Sequence, residues 1–256
     1  MFLSSVRIDR DVYVADLVRQ DYRTAAVFRK YGIDFYCSAN QPLSVVCNNM
    51  GINPDEVETE LAKATRPLQM PPAINAIEWD IDFLIDYILN IHHSYLRSRL
   101  PFIEEQLTRF IVRHGDAYPR AAELHERFKA LSAHILPHVQ QEEEVLFPYV
   151  RQIAHAYADS EPYAGLLVRT LRKPMEDTMH KEHDLVMEIL VRIRQLTHNY
   201  EAPEHACISH RVSFSLLREL DNDLTQHLYL ENTVLFPRAI AMEKEIMQRG
   251  ENNLVV

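Results

Sequence analysis

A chain of 256 residues with 47% hydrophobic content can bury one sizeable core, or one core plus a smaller companion domain. A formal charge of −10 without a long Lys/Arg cluster argues against nucleic-acid binding, and no apolar run reaches membrane-spanning length. Five glycines are too few for an architecture of tight β-turns, while stretches rich in Leu, Ile, Ala, Glu, Arg and Gln point to an all-α protein.

The opening MFLSSVRIDRD has neither a basic leader nor a long apolar region, so no secretory signal is expected. Cys37, Cys47 and Cys207 are sparse and odd in number, which suits a reducing compartment better than a disulfide framework. The expected location is therefore cytoplasmic. Thirteen histidines are a high count, and several fall inside apolar helical patterns.

Residues 1–65 read as a small helical domain. Asp21 is the expected cap of a helix over Tyr22–Tyr31, ended by Gly32. Asn53 caps a second helix with Pro54 in its first position. Pro67, Pro71 and Pro72 place a linker at 66–77, because proline blocks helix continuation. Four long amphipathic segments follow within 78–250 and read as a four-helix bundle. The first starts near Glu78, with Pro101 as an interruption or kink. The second runs over Pro119–Gln152, with a kink expected at Pro137. The third runs over Pro162–His198 with an interruption at Pro174, and the fourth over Pro203–Gln248.

Two of these segments repeat one pattern. HVQQEEEVLFP begins at His138, and HLYLENTVLFP begins 89 positions later at His227. His138 and Glu142 share a face with Leu146 and Tyr149; His227 and Glu231 share one with Leu220, Leu224 and Leu235. Each helix thus aims a carboxylate into its own apolar stripe. A buried carboxylate must be neutralised, hydrogen-bonded or bound to a cation. A histidine one turn earlier supplies a nitrogen beside it, which is half of a metal site. A lone His-x-x-x-Glu arises by chance, and His155–Asp159 and His180–Asp184 have similar spacing. The shared Leu-Phe-Pro at one offset separates the repeat from such decoys.

The other two segments offer His93 and His183, 90 residues apart. The chain is consistent with a duplicated helical hairpin, each half giving one His and then one His-Glu pair. His92 competes with His93 for the first place. Four histidines and two glutamates are too many for one tetrahedral zinc. They suit a pair of iron or manganese ions bridged by Glu142 and Glu231, with coordination positions open for a bridging oxygen species or a small ligand. A metal-bound imidazole also wants its other nitrogen paired, which makes Glu182, Asp184, His134 and His180 candidates for a supporting or proton-shuttling role.

The His-x-x-x-Glu-x-x-x-Leu-Phe-Pro repeats resemble hemerythrin-like domains. The stretch FRKYGIDFYCSANQPL resembles the small leading domain of the iron–sulfur cluster repair di-iron proteins (repair of iron centres, YtfE/ScdA type). In this order the two signatures cover nearly the whole chain. The resemblance implies a hemerythrin-like bundle with a non-haem centre of two iron ions, oxo-bridged or not, and with manganese less favoured. It implies repair of iron–sulfur clusters after nitrosative or oxidative stress by supplying iron. Its expected partners are damaged iron–sulfur proteins, with nitric oxide or dioxygen as small ligands; neither nucleic acid nor membrane is expected, and a homodimer stays open. Two other functions stay open as well, a di-iron reductase of nitric oxide or peroxide and an oxygen- or nitric oxide-binding module. The implied role is an iron donor in preference to a turnover enzyme. Carried over by position, the implied ligands are His93, His138, Glu142, His183, His227 and Glu231. One departure stands out. Where the family has two cysteines and two glycines, this chain has Tyr36, Cys37, Ser38 and Ala39. Cys37 is left as a single candidate redox thiol, and Cys47 can partner it only if the fold brings the two together.

Overall fold

The computed structural model describes residues 8–21, 23–33, 35, 41–65, 76–115, 118–161, 164–171 and 175–252. Its regular elements are helices, and their contacts divide the chain into two units. One comprises Met1–Ile74 with Tyr200–Arg218, the other Asn75–Asn199 with Glu219–Val256. Most of the expected linker, and Cys37 with its neighbours, lie outside the described residues.

The smaller unit begins with α1 (Val14–Gln20), α2 (Thr24–Lys30), α3 (Leu43–Met50) and α4 (Pro54–Ala64). Helices α2 and α3 both pack on α4, and Leu17, Phe28, Leu43, Val46 and Leu61 are buried. Asn53 caps α4 as expected: its side chain accepts the Asp55 N–H at 3.1 Å. The expectation at Asp21 needs correcting. The helix starts at Thr24, and the buried Asp21 carboxylate accepts the Arg23 N–H at 3.0 Å as a turn acceptor while pairing with the Arg23 guanidinium. Gly32 follows α2 with φ of 71°, a left-handed conformation that glycine adopts without strain.

The larger unit is a helical bundle. Its first rod is α5 (Ile81–Tyr87), a π-turn over Ile88–His93, and α6 (Ser94–His114). Asp80 starts it by accepting the Asp82 N–H at 2.8 Å. The second rod is α7 (Ala121–Gln141), a π-turn over Glu142–Leu146, and α8 (Phe147–Ala158). Then come α9 (Ala164–Leu171) and α10 (Met175–Leu196). The last rod is α11 (Ile208–Tyr229), a π-turn over Leu230–Leu235, and α12 (Phe236–Asn252). Its Ile208–Arg218 part groups with the smaller unit, which no composition shift announces.

Pro101 and Pro137 do not end their helices. Each sits inside a continuous 21-residue helix, α6 and α7 respectively, because one proline removes a single hydrogen bond while the packed face holds the rest. The prolines of Leu-Phe-Pro act differently. Pro148 and Pro237 offer no N–H, so the carbonyls four residues earlier lose their α-helical donor. The preceding N–H groups reach back five residues, Phe147 to the Glu142 carbonyl and Phe236 to the Glu231 carbonyl. These widened turns lie at the two carboxylates. Leu146, Phe147, Leu235 and Phe236 join Ile85, Ile88 and Val150 in the core beneath them. Among the described residues no helix is long and apolar enough to cross a membrane.

Candidate metal centre

His93, His138, Glu142, His183, His227 and Glu231 converge from four helical segments of the larger unit, each at most 3% exposed. Their donor atoms form two sets, with the atoms of each set within 4.8 Å of one another. The first set is His93, His227, Glu142 and Glu231. His93 Nε2 lies 3.1 Å from His227 Nε2 and 3.5 Å from Glu142 Oε2, and His227 Nε2 lies 2.8 Å from Glu231 Oε1. The second set is His138, His183 and the same glutamates. His138 Nε2 lies 2.9 Å from His183 Nε2 and 3.2 Å from Glu142 Oε1, and His183 Nε2 lies 3.5 Å from Glu231 Oε2. Each carboxylate therefore turns one oxygen to each set.

The outer edges of the rings fix which nitrogens face inward. His93 Nδ1 lies 2.8 Å from Glu143 Oε1, His138 Nδ1 2.5 Å from Glu182 Oε2, and His183 Nδ1 2.8 Å from Asn232 Oδ1. All three partners are acceptors, so the Nδ1 atoms carry protons and donate, and the Nε2 lone pairs point into the pocket. Two lone pairs facing each other at 2.9 Å repel unless a positive charge lies between them. Both oxygens of Glu142 and Oε2 of Glu231 are buried and meet no hydrogen-bond donor. The donor set of imidazole nitrogen and carboxylate oxygen suits a divalent transition metal, and the pairing of sets suits two.

In the metal-free chain a proton supplies part of that charge. Burial opposes an imidazolium at His138, but Glu142, Glu231 and Glu182 outweigh it and push its pKa up to about 9. His183 shifts upward against burial for a similar reason, beside Glu142 and Glu231. Burial and the charge of Glu231 push Glu142 up, yet His138 and His183 hold it below the usual carboxylate range. Glu231 is held well below that range against its own burial, chiefly by His227.

The repeated phenylalanines have a task here. The Phe147 ring stacks on His93 at 5.5 Å between centroids, and Phe236 lies against His183 at 6.3 Å. His92 is buried but is not in either donor set: its ring stacks on His227 at 5.6 Å and its Nδ1 bonds Asp223 at 3.0 Å. His134 is half-buried and stacks on His138 at 6.4 Å. Glu182 pairs with His138 and not with the neighbouring His183, while Asp184 is exposed. The side chain of His180 lies outside the described residues. The decoy His155 is at the surface, paired with Asp82 at 2.7 Å. Sequence reasoning missed Glu143, Asn232 and Asp223. The first two had a signal: each directly follows its repeat's glutamate. Cys47 is buried in the smaller unit, and burial pushes its thiol up; its candidate partner Cys37 lies outside the described residues.

This fold and site define a cation-binding helical bundle of the hemerythrin type. Residues 84–239 match the family described as Hemerythrin HHE cation binding domain, and residues 10–65 match ScdA_N, a domain of unknown function (DUF542). The iron-sulfur cluster repair protein YtfE of Cronobacter sakazakii is 32% identical over 239 residues, 92% of this chain and 99% of the relative. Those of Escherichia coli (O1:K1 / APEC) and Escherichia fergusonii are each 30% identical over 238 residues, 91% of this chain and 99% of the relative. The chain belongs to the YtfE family of iron-sulfur cluster repair proteins.

Proposed function

We propose that this protein holds two iron ions and supplies iron to damaged iron–sulfur clusters. The observation that carries the reading is the sharing of both buried carboxylates between two four-donor sets. His93 and His227 would hold one ion, His138 and His183 the other, with Glu142 and Glu231 bridging. Bound there, a pair of irons supplies redox-active ferrous ions with positions open to nitric oxide or dioxygen. The protein's own part is to orient the imidazoles through Glu143, Glu182 and Asn232, to shield the pocket from water, and to take up protons when an ion leaves. Manganese is the second choice of metal. The cytoplasm is the proposed location, since sparse thiols and repair of reduced clusters both belong to a reducing compartment.

The test is iron per chain after anaerobic loading, followed by transfer to an apo iron–sulfur protein. Two irons per chain and regain of the client's cluster absorbance are expected. Repeated reduction of nitric oxide with both irons retained would replace the donor role by a reductase. A single zinc would end the two-iron reading.

A further inference from the structure

The duplicated halves invite comparison of the atoms behind each ligand. His138 and His227 are equivalent in the repeat, as are the residues before His93 and His183, and those four before His138 and His227. Behind His138 stands Glu182, directly before His183, and it takes the Nδ1 proton at 2.5 Å. The equivalent of Glu182 is His92. The equivalent of His134, whose ring stacks on His138, is Asp223. Acid and imidazole have thus traded places. His92 and Asp223 bond to each other at 3.0 Å, and His92 presents only its ring face to His227. His227 Nδ1, buried, meets no hydrogen-bond partner among the described residues.

The remaining partners differ in kind and leave the contrast between His138 and His227 to decide. Glu143, which supports His93, is shared with the Arg97 guanidinium at 2.5 Å, and that cation draws off its charge. His183 has the neutral amide oxygen of Asn232 as its acceptor. One set therefore has both imidazoles held by acceptors, one of them a close carboxylate. The other has one imidazole behind an arginine-paired carboxylate and one, His227, with no acceptor among the described residues. Acceptors behind a ligating imidazole fix its ring and raise its basicity, and losing one lowers metal affinity roughly 10–100-fold.

We infer that the two cation positions are unequal and that the one lined by His93 and His227 releases its ion first. This rests on the two-iron reading above. It makes Glu182 a positioning residue for the retained ion, and the His92–Asp223 pair the feature that leaves the other ion labile. A donor built this way gives up one ferrous ion while the second keeps the pocket ordered.

The experiment loads the full chain with ferrous iron under anaerobic conditions and mixes it with excess colorimetric ferrous chelator. Two irons should leave in two phases of equal amplitude, with rates separated by roughly 10–100-fold. Glu182→Ala should speed the slow phase by a similar factor and leave the fast phase unchanged. The double exchange His92→Glu with Asp223→His rebuilds the stronger arrangement behind His227, and should slow the fast phase until the two merge. Two irons leaving the unaltered chain in one phase would overturn the inference and leave the two-iron reading standing. So would acceleration of the fast phase alone by Glu182→Ala, a variant that does not depend on the exchange folding. Fewer than two irons at saturation would remove both.

Discussion

Glu142→Gln is the most informative single perturbation, because it keeps the side chain's size and removes one shared charge. In the structure Glu142 gives one oxygen to each set, 3.5 Å from His93 Nε2 and 3.2 Å from His138 Nε2. A ligand serving one ion would, when lost, release that ion alone. A shared ligand weakens both. The size of the signal follows from linkage: an ion at a hundredfold excess over its Kd stabilises the fold by about 2.7 kcal/mol, so two contribute roughly 5 kcal/mol. For a bundle of this size that is a rise in Tm of roughly 10–20 °C on metal addition. Thermal unfolding with and without ferrous iron, read by helical circular dichroism, should show that rise for the unaltered chain and nearly none for Glu142→Gln. The metal-free variant should unfold near the metal-free parent, since Glu231 and Glu182 still face the imidazolium of His138. Half the rise, with one iron retained at undiminished affinity, would show that Glu142 serves only one ion and would break the bridging argument.

Glu143→Ala should lower affinity for one of the two ions roughly 10–100-fold, measured by ferrous titration, because His93 and Arg97 both lose their partner. Metal binding should release protons at neutral pH: His138, pushed up to about 9, is protonated there in the metal-free chain, and an ion must displace that proton. Apparent affinity should accordingly rise about tenfold per pH unit for that proton and flatten above about pH 9, with an indicator dye counting the release; affinity that falls as pH rises toward 9 would contradict the assignment. Pro148→Ala restores an N–H that the Glu144 carbonyl can use, so the metal-free bundle should gain stability in urea while iron affinity drops as the widened turn relaxes. Cys37→Ser should leave two irons per chain by elemental analysis, since none of the six converging residues is a cysteine.

The sequence disclosed the ligand candidates because each helix writes its own face at a spacing of three or four residues. His138 with Glu142 and His227 with Glu231 are legible for that reason, and the matching separations of His93 and His183 follow from the duplication. What crosses between helices was not legible. Glu182 sits beside His183 in sequence but serves His138, because neighbours on a helix point about 100° apart and so face different helices. Glu143 lies within a run of three glutamates, and only the neighbouring helix, by placing His93 against it, sets it apart. Pro101, read as an interruption or a kink, interrupts nothing, and Pro137 likewise lies inside its helix. A proline's cost is local, and a helix with one buried face absorbs it without ending. The grouping of Tyr200–Arg218 with the N-terminal unit is set by tertiary contacts and leaves no periodic trace.

The letters Leu-Phe-Pro now read as parts of the site. The leucine fills the core beneath the carboxylates, the phenylalanine stacks on a histidine of a preceding helix, and the proline widens the turn that presents the glutamate. None of the three is among the six converging residues. A pocket so framed need not collapse when an ion leaves. Its carboxylates are already matched to imidazoles that accept protons, with His138 pushed up to about 9. At neutral pH a cation leaving the proposed site would be exchanged for protons, so the charge of the buried glutamates would stay compensated and the cost of an unpaired buried carboxylate would be avoided. A permanent metal site gains nothing from that provision. The proposed donor, which surrenders iron and is filled again, would depend on it.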